Sequence, residues 1–161
     1  KTKEQEKSGG DIAQSEIQKS YYSYTITIDL DRVGIDENDN IELNNTEKSE
    51  RIVGLLDTVK FLYRDIRGRR EDLKPIFIVG GVYNRKNPFF ENKLKIKNNR
   101  LNIETIKDIM DLDKEVTEKT KVGLIRGFFN NDTEIKEKLV PISIAEFFDS
   151  LEKEVKDYYG V

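Results

Sequence analysis

Pro75-Ile76-Phe77-Ile78-Val79-Gly80-Gly81-Val82 is a short apolar run closed by two glycines. A run of this length, rich in β-branched and aromatic residues, reads as a buried strand. The rest of the fold is read outward from it. Upstream, Ile52, Leu55, Leu56, Val59, Leu62, Tyr63 and Ile66 recur at helical spacing. They predict a helix from about Glu47 to Arg67, with Thr46 as N-cap and Gly68 as left-handed C-terminal cap. Before it, Asp36 to Asn45 is an acidic, Asn-rich loop. Earlier still, Tyr22, Tyr24, Ile26, Ile28 and Leu30 alternate with Tyr21, Ser23, Thr25, Thr27 and Asp29, which predicts a half-buried strand. Residues 1–20 are polar around Ser8-Gly9-Gly10 and read as a flexible arm or the end of an insertion.

Downstream, Lys93 to Leu101 alternates again, with Leu94 and Ile96 inward and Asn98-Asn99 able to turn a hairpin. A helix is expected after Asn102, burying Ile103, Ile106 and Ile109 or Met110. Val122 to Phe128 is predicted as a strand. Ser143 and Glu146 then form a capping box that opens a helix running to about Tyr158, with Ile142 placed to staple against Phe147. The order of elements predicts an α+β fold over residues 21–161, an RRM-like or ferredoxin-like antiparallel sheet with helices on one face. Such a fold implies no function by itself.

Composition narrows the chemistry. The chain has 161 residues, no cysteine and no histidine. This removes disulfides, thiolate metal sites and every nucleophile pair that uses an imidazole base. No P-loop or G-x-G-x-x-G is present. The apolar runs are too short to span a bilayer and no signal-peptide pattern opens the chain, so a soluble cytoplasmic protein without a membrane partner is expected. The first residue is Lys1 rather than Met, which reads as a piece of something longer. Net charge is −3, yet Arg64 to Arg100 holds 11 Lys/Arg against 4 Asp/Glu. One basic segment in an acidic protein attracts phosphate locally; the plain alternative is a solvated charged face.

Two motifs lie in that segment. Arg67-Gly68-Arg69-Arg70 groups three guanidiniums, whose planar forks suit phosphate, and which could equally complement a helix C-terminus. Gly80-Gly81-Val82-Tyr83-Asn84-Arg85-Lys86-Asn87-Pro88-Phe89-Phe90 mixes close-approach glycines, cations and aromatics, as single-stranded RNA binding requires. Phe89 and Phe90 themselves read as folded back into the core. The two groups emerge at opposite ends of the Pro75–Val82 strand. The candidate RNA contacts are Arg67, Arg69, Arg70, Tyr83, Arg85 and Lys86. Arg126-Gly127-Phe128 matches the first three positions of an RRM stacking signature, but Phe129-Asn130 does not continue it and Phe128 reads as core. Asp36, Asn38, Asn40 and Glu47 fall on calcium-loop positions, with Ile41 where glycine is required, so the loop reads as solvated and no metal site is assigned.

Three segments together resemble one family. They are Tyr24-Thr25-Ile26-Thr27-Ile28-Asp29-Leu30-Asp31-Arg32-Val33-Gly34, Arg67-Gly68-Arg69-Arg70, and Pro75 to Tyr83 continuing to Asn87-Pro88-Phe89-Phe90-Glu91-Asn92. In order and spacing they resemble the CRISPR-associated autoregulator family, also called DevR, the repeating backbone subunit of type I-B Cascade. The similarity is read over Tyr21 to Val161. It implies an RRM-like core, and copies stacked along one CRISPR RNA beside other Cascade subunits, with target DNA reached through the guide. A separate nuclease-helicase cuts the DNA, so this subunit is expected to be neither an enzyme nor dependent on a cofactor. Family members are longer, so the chain would be a C-terminal part that lacks the first core strand. The alternatives are a protein–protein scaffold fragment without RNA contact, and a metal-dependent ribonuclease using Asp29, Asp31 or Asp36.

Overall fold

A computed structural model describes residues 20–161. The predicted arm, residues 1–19 in particular, lies outside the described residues. The chain is α+β, with short antiparallel strand pairs and five helices among the described residues. Its centre is the expected buried strand, β5 (Phe77–Gly80), paired antiparallel with β8 (Lys121–Leu124). The register sets Phe77 against Leu124, Ile78 against Gly123 and Val79 against Val122. Side chains alternate across a pleat, so this register sorts the core into two faces.

On one face, Ile78 meets Phe147, Phe148 and Ile144 of α5 (Ile144–Tyr159), with Val59 of α1 (Asn45–Lys60) in the same cluster. Farther along, α1 and α5 close over Ile52, Val155 and Tyr159, with Ile28, Leu30, Val33 and Val82 packed around them. On the other face, Phe77, Val79, Val122 and Leu124 pack with Ile103 and Ile106 of α2 (Ile103–Met110) and Ile135 and Leu139 of α4 (Asp132–Leu139). The α1–α5 layer is the expected helical face of the sheet, and α2 and α4 cover the second face as well.

Local signals explain the helix starts. Ser143 accepts from the Glu146 N–H while Glu146 reaches back to the Ser143 N–H, the capping box expected for α5. Ile144 joins the core cluster, whereas Ile142 joins its backbone to β8 in a parallel bridge. α2 starts at the Asn102 cap and buries Ile103, Ile106 and Ile109, as expected. The hairpin of β6 (Ile96–Lys97) and β7 (Arg100–Leu101) turns through Asn98-Asn99, both at positive φ.

Several expectations are corrected. Tyr21–Leu30 is not a strand: among the described residues the backbone of Tyr21 to Ile28 makes no backbone hydrogen bond, and a 3-10 turn begins at Leu30. Of the alternating set only Ile28 and Leu30 pack against the core while Tyr22, Tyr24 and Ile26 stay exposed, and a strand also needs a hydrogen-bonded neighbour. The first helix starts two residues earlier than predicted, at an Asn44–Glu47 capping box rather than at Thr46. It stops at Lys60, not Arg67. β3 (Tyr63–Ile66) and β4 (Arg69–Asp72) follow as a hairpin, and Arg67-Gly68 is its two-residue turn rather than a helix cap. Strand β8 ends at Leu124, short of Phe128. A further helix, α3 (Lys114–Lys119), was not anticipated, nor was the small pair β1 (Ile35–Asp36) and β2 (Ile41–Glu42). In that last hairpin, Asp36 accepts from the Asn38 and Asp39 N–H groups and Glu47 is occupied in the helix cap, which accounts for the calcium-like spacing.

Candidate nucleic-acid interface

The arginine group sits on the β3–β4 hairpin. A two-residue hairpin turn of type I′ has positive φ at both central residues, which matches the strand twist. Arg67 takes φ 48° and Gly68 takes φ 76°. Charges face each other across the ladder: Arg64 opposite Glu71 and Asp65 opposite Arg70. Arg64 reaches Glu71 at 2.6 Å and Arg70 reaches Asp65 at 3.1 Å. Arg70 also lies 4.3 Å from the Tyr63 ring centroid. The Asp65 hydrogen bond, with Tyr63 beside it, raises the Arg70 guanidinium above its ordinary value. Arg64 and Arg70 therefore hold the hairpin together. Arg67 and Arg69 make no ion pair among the described residues and stand exposed at its turn.

The second group is arranged differently. Tyr83 is half-buried, its hydroxyl 2.8 Å from Thr120 Oγ1 and its ring edge-on to Phe89 at 5.0 Å. Burial pushes its phenol above the ordinary tyrosine value. Gly81 lies directly against the Lys119 carbonyl, so the expected close backbone approach is made to the chain itself. Arg85 pairs with Asp113, the N-cap of α3, at 3.4 Å. Lys86 Nζ lies between Asp29 at 2.9 Å and Asp31 at 2.7 Å, and Tyr158 donates to Asp31 as well. Phe90 packs against the core, as read from the sequence. No contact joins Arg85 or Lys86 to the arginine hairpin among the described residues.

Sequence reasoning missed the hairpin because Leu62, Tyr63 and Ile66 continue the helical spacing of α1. The signal that would have found it is the mirrored charge order, Arg64-Asp65 before the turn and Arg70-Glu71 after it, set for cross-strand pairing. It also misplaced Phe128. That ring is 45% exposed while Phe129 is buried. Among the described residues no cluster of three or more ligand side chains could hold a metal ion, and no helix is long and apolar enough to cross a membrane.

Comparison with known proteins gives a family match. The family described as CRISPR-associated negative auto-regulator DevR/Csa2 matches residues 1–105. No curated protein and no solved structure matches the chain. The match contains all three resembling segments and the arginine hairpin. It begins before Tyr21 and stops within α2, so the similarity read as far as Val161 is matched only up to that point. It spans more than half of the 161 residues, and the chain belongs to the CRISPR-associated negative auto-regulator DevR/Csa2 family.

Proposed function

We propose that the chain is a non-catalytic, cytoplasmic backbone subunit of a type I-B antiviral surveillance complex, its C-terminal part, that holds the phosphate backbone of a CRISPR RNA. The observation that carries this reading is the β3–β4 turn of a CRISPR-associated family member. It presents Arg67 and Arg69 to solvent with no carboxylate partner among the described residues. Unpaired guanidiniums on an exposed two-stranded finger suit phosphate, since their forks bind two oxygens at once and no ion pair has to break first. Copies of the chain side by side would offer such fingers at intervals along one RNA. The other subunits would then gather on that filament, with the bases left to pair with target DNA.

The test is guide-RNA affinity at several salt concentrations for the chain and for Arg67→Ala/Arg69→Ala. Two lost phosphate contacts make the salt slope shallower by about 1.4 units for single-stranded RNA. The loss is the same for every guide sequence, since phosphate contacts carry no base information. Unchanged affinity with an unchanged slope would remove the hairpin from RNA binding and favour a protein–protein scaffold. Cleavage of RNA that requires a divalent metal would contradict the non-catalytic part of the reading.

A further inference from the structure

The turn between β8 and α4 is built as a rigid mount. Phe129 is buried, edge-on to Phe77 at 6.3 Å and stacked with Tyr21 at 6.0 Å. The Tyr21 hydroxyl donates to the Phe128 carbonyl at 3.2 Å. The Asp132 carboxylate accepts from the N–H groups of Gly127 and Phe129. Asn130 ties the turn to the β6–β7 hairpin, donating from its N–H to the Asn99 carbonyl at 2.8 Å and from its amide to the Asn98 carbonyl at 3.0 Å. Gly127 reverses the chain at φ 89°, so Phe129 points into the core while Phe128 stays 45% exposed.

Beside this turn lies a cavity of about 180 Å³ lined by Leu124, Arg126, Asp132, Thr133, Lys136 and Pro141. Its two cations, Arg126 and Lys136, make no ion pair among the described residues, whereas Lys138 on the same helix pairs with both Glu104 and Glu134. The one carboxylate in the lining, Asp132, is already occupied by two backbone N–H groups. Phe128 holds its ring out to solvent two residues along the chain from Arg126, which lines this cavity. An exposed ring close in sequence to unpaired cations suits single-stranded nucleic acid: a face for a base and charge for its phosphate.

We propose that the Arg126–Phe128 turn is a nucleotide subsite, in which Arg126 and Lys136 take one phosphate of a single strand and Phe128 stacks the adjoining base. This rests on the RNA-binding reading and adds to it a second contact, on the far side of the sheet from α1 and α5. The guide RNA and a DNA strand offer the same phosphate-and-base chemistry, and the test separates them.

The experiment measures binding of single-stranded RNA and of single-stranded DNA of the same sequence, each over a salt series. The proteins compared are the chain, Phe128→Leu, Arg126→Ala/Lys136→Ala and Arg67→Ala/Arg69→Ala. Phe128→Leu keeps an apolar side chain at an exposed position and leaves Phe129 as the anchor, so an unchanged melting temperature checks that the mount is intact. The expected result is affinity about 5- to 100-fold weaker for Phe128→Leu with an unchanged salt slope. For Arg126→Ala/Lys136→Ala the slope becomes shallower by about 0.7 units, one phosphate contact. Loss on RNA assigns the subsite to the guide, and loss on DNA alone assigns it to a DNA strand. If the hairpin variant loses RNA affinity while both turn variants bind as the parent does, the subsite is overturned and the proposed function stands. If only the turn variants lose affinity, the subsite stands and the RNA leaves the hairpin. Absence of binding to either nucleic acid by the parent chain overturns the subsite.

Discussion

Lys86 shows how a residue with the right chemistry can stay exposed and yet be engaged by carboxylates of its own chain. Its ammonium is held by hydrogen bonds to Asp31 and then Asp29, which raise it above the ordinary lysine value. Asp31 is held below the ordinary carboxylate value by the hydrogen bond from Lys86 and then by that from Tyr158. The depressed carboxyl contributes stability above its unfolded pKa and loses it as pH falls through the lower folded value. The raised ammonium contributes below its unfolded pKa and loses it as pH rises through the higher folded value. The pair is therefore constant between about pH 5 and pH 9, outside the ordinary ranges of both groups, and mild changes of pH do not free Lys86. Its charge is also cancelled locally, so Lys86→Ala should leave RNA affinity within about twofold. Asp29→Asn/Asp31→Asn should instead tighten binding and steepen the salt slope by about 0.7 units. A salt titration of both variants checks this; a large loss in Lys86→Ala would show that RNA displaces the two aspartates. The cations of the basic segment were legible in the sequence, but their partners were not. Asp29 and Asp31 lie more than fifty positions upstream, and only folding brings them to Lys86.

At the scale of elements, Gly123 of β8 is packed tightly between β5 and α5. A Cβ built on Gly123 would lie 2.7 Å from Ile78 Cγ2, 3.1 Å from Ile144 Cδ1 and 3.1 Å from Phe147 Cβ. All three belong to packed side chains, so Gly123→Ala should destabilise by about 1–3 kcal/mol through overpacking, read as a lower denaturant midpoint at unchanged slope. Ser143→Ala should cost about 1 kcal/mol by leaving the N-terminal amides of α5 without their cap. The second value was readable from sequence alone, because a capping box is a local pattern of fixed spacing. The first was not, because the glycine's neighbours come from β5 and from α5. The same division explains the fold as a whole. α2, α5, β5 and the Asn98-Asn99 hairpin carry their boundaries in adjacent residues and were found. The end of α1 was not, since Leu62, Tyr63 and Ile66 satisfy a helical period while forming a hairpin stabilised by charge pairs across the ladder. Phe128 and Phe129 are neighbours of identical composition, and only the turn at Gly127 and the Asp132 clamp decide which one is buried.

Over the whole molecule, among the described residues, the strands pair two by two, and β8 has neighbours on both sides while β5 has one. The Ile125 N–H donates to the Ile76 carbonyl at 2.8 Å. Antiparallel parity then turns the N–H and C=O groups of Ile78 and Gly80 toward β8 and those of Phe77 and Val79 away from it. Leu124 and Val122 obey the same parity, bonding to Ile142 on the opposite edge. Among the described residues nothing accepts from the outward amides of Phe77 and Val79, although their side chains belong to the core. The backbone of Tyr21 to Ile28 is likewise without a backbone partner among the described residues, and Tyr22, Tyr24 and Ile26 leave much of their apolar surface exposed. The alternation that predicted a strand there is thus present without the ladder that would make it one. An unpaired edge beside a packed core has a measurable signature, because amide exchange follows the hydrogen bond and not the side chain. In dilute monomer the Phe77 and Val79 amides should exchange well ahead of those of Ile78 and Gly80, although all four belong to one strand. Edges of this kind pair readily with another chain, so slowing of Phe77 and Val79 alone with rising protein concentration would place a second copy against β5. Equal protection of all four amides at high dilution would show that the edge is already covered within the chain and would overturn the prediction.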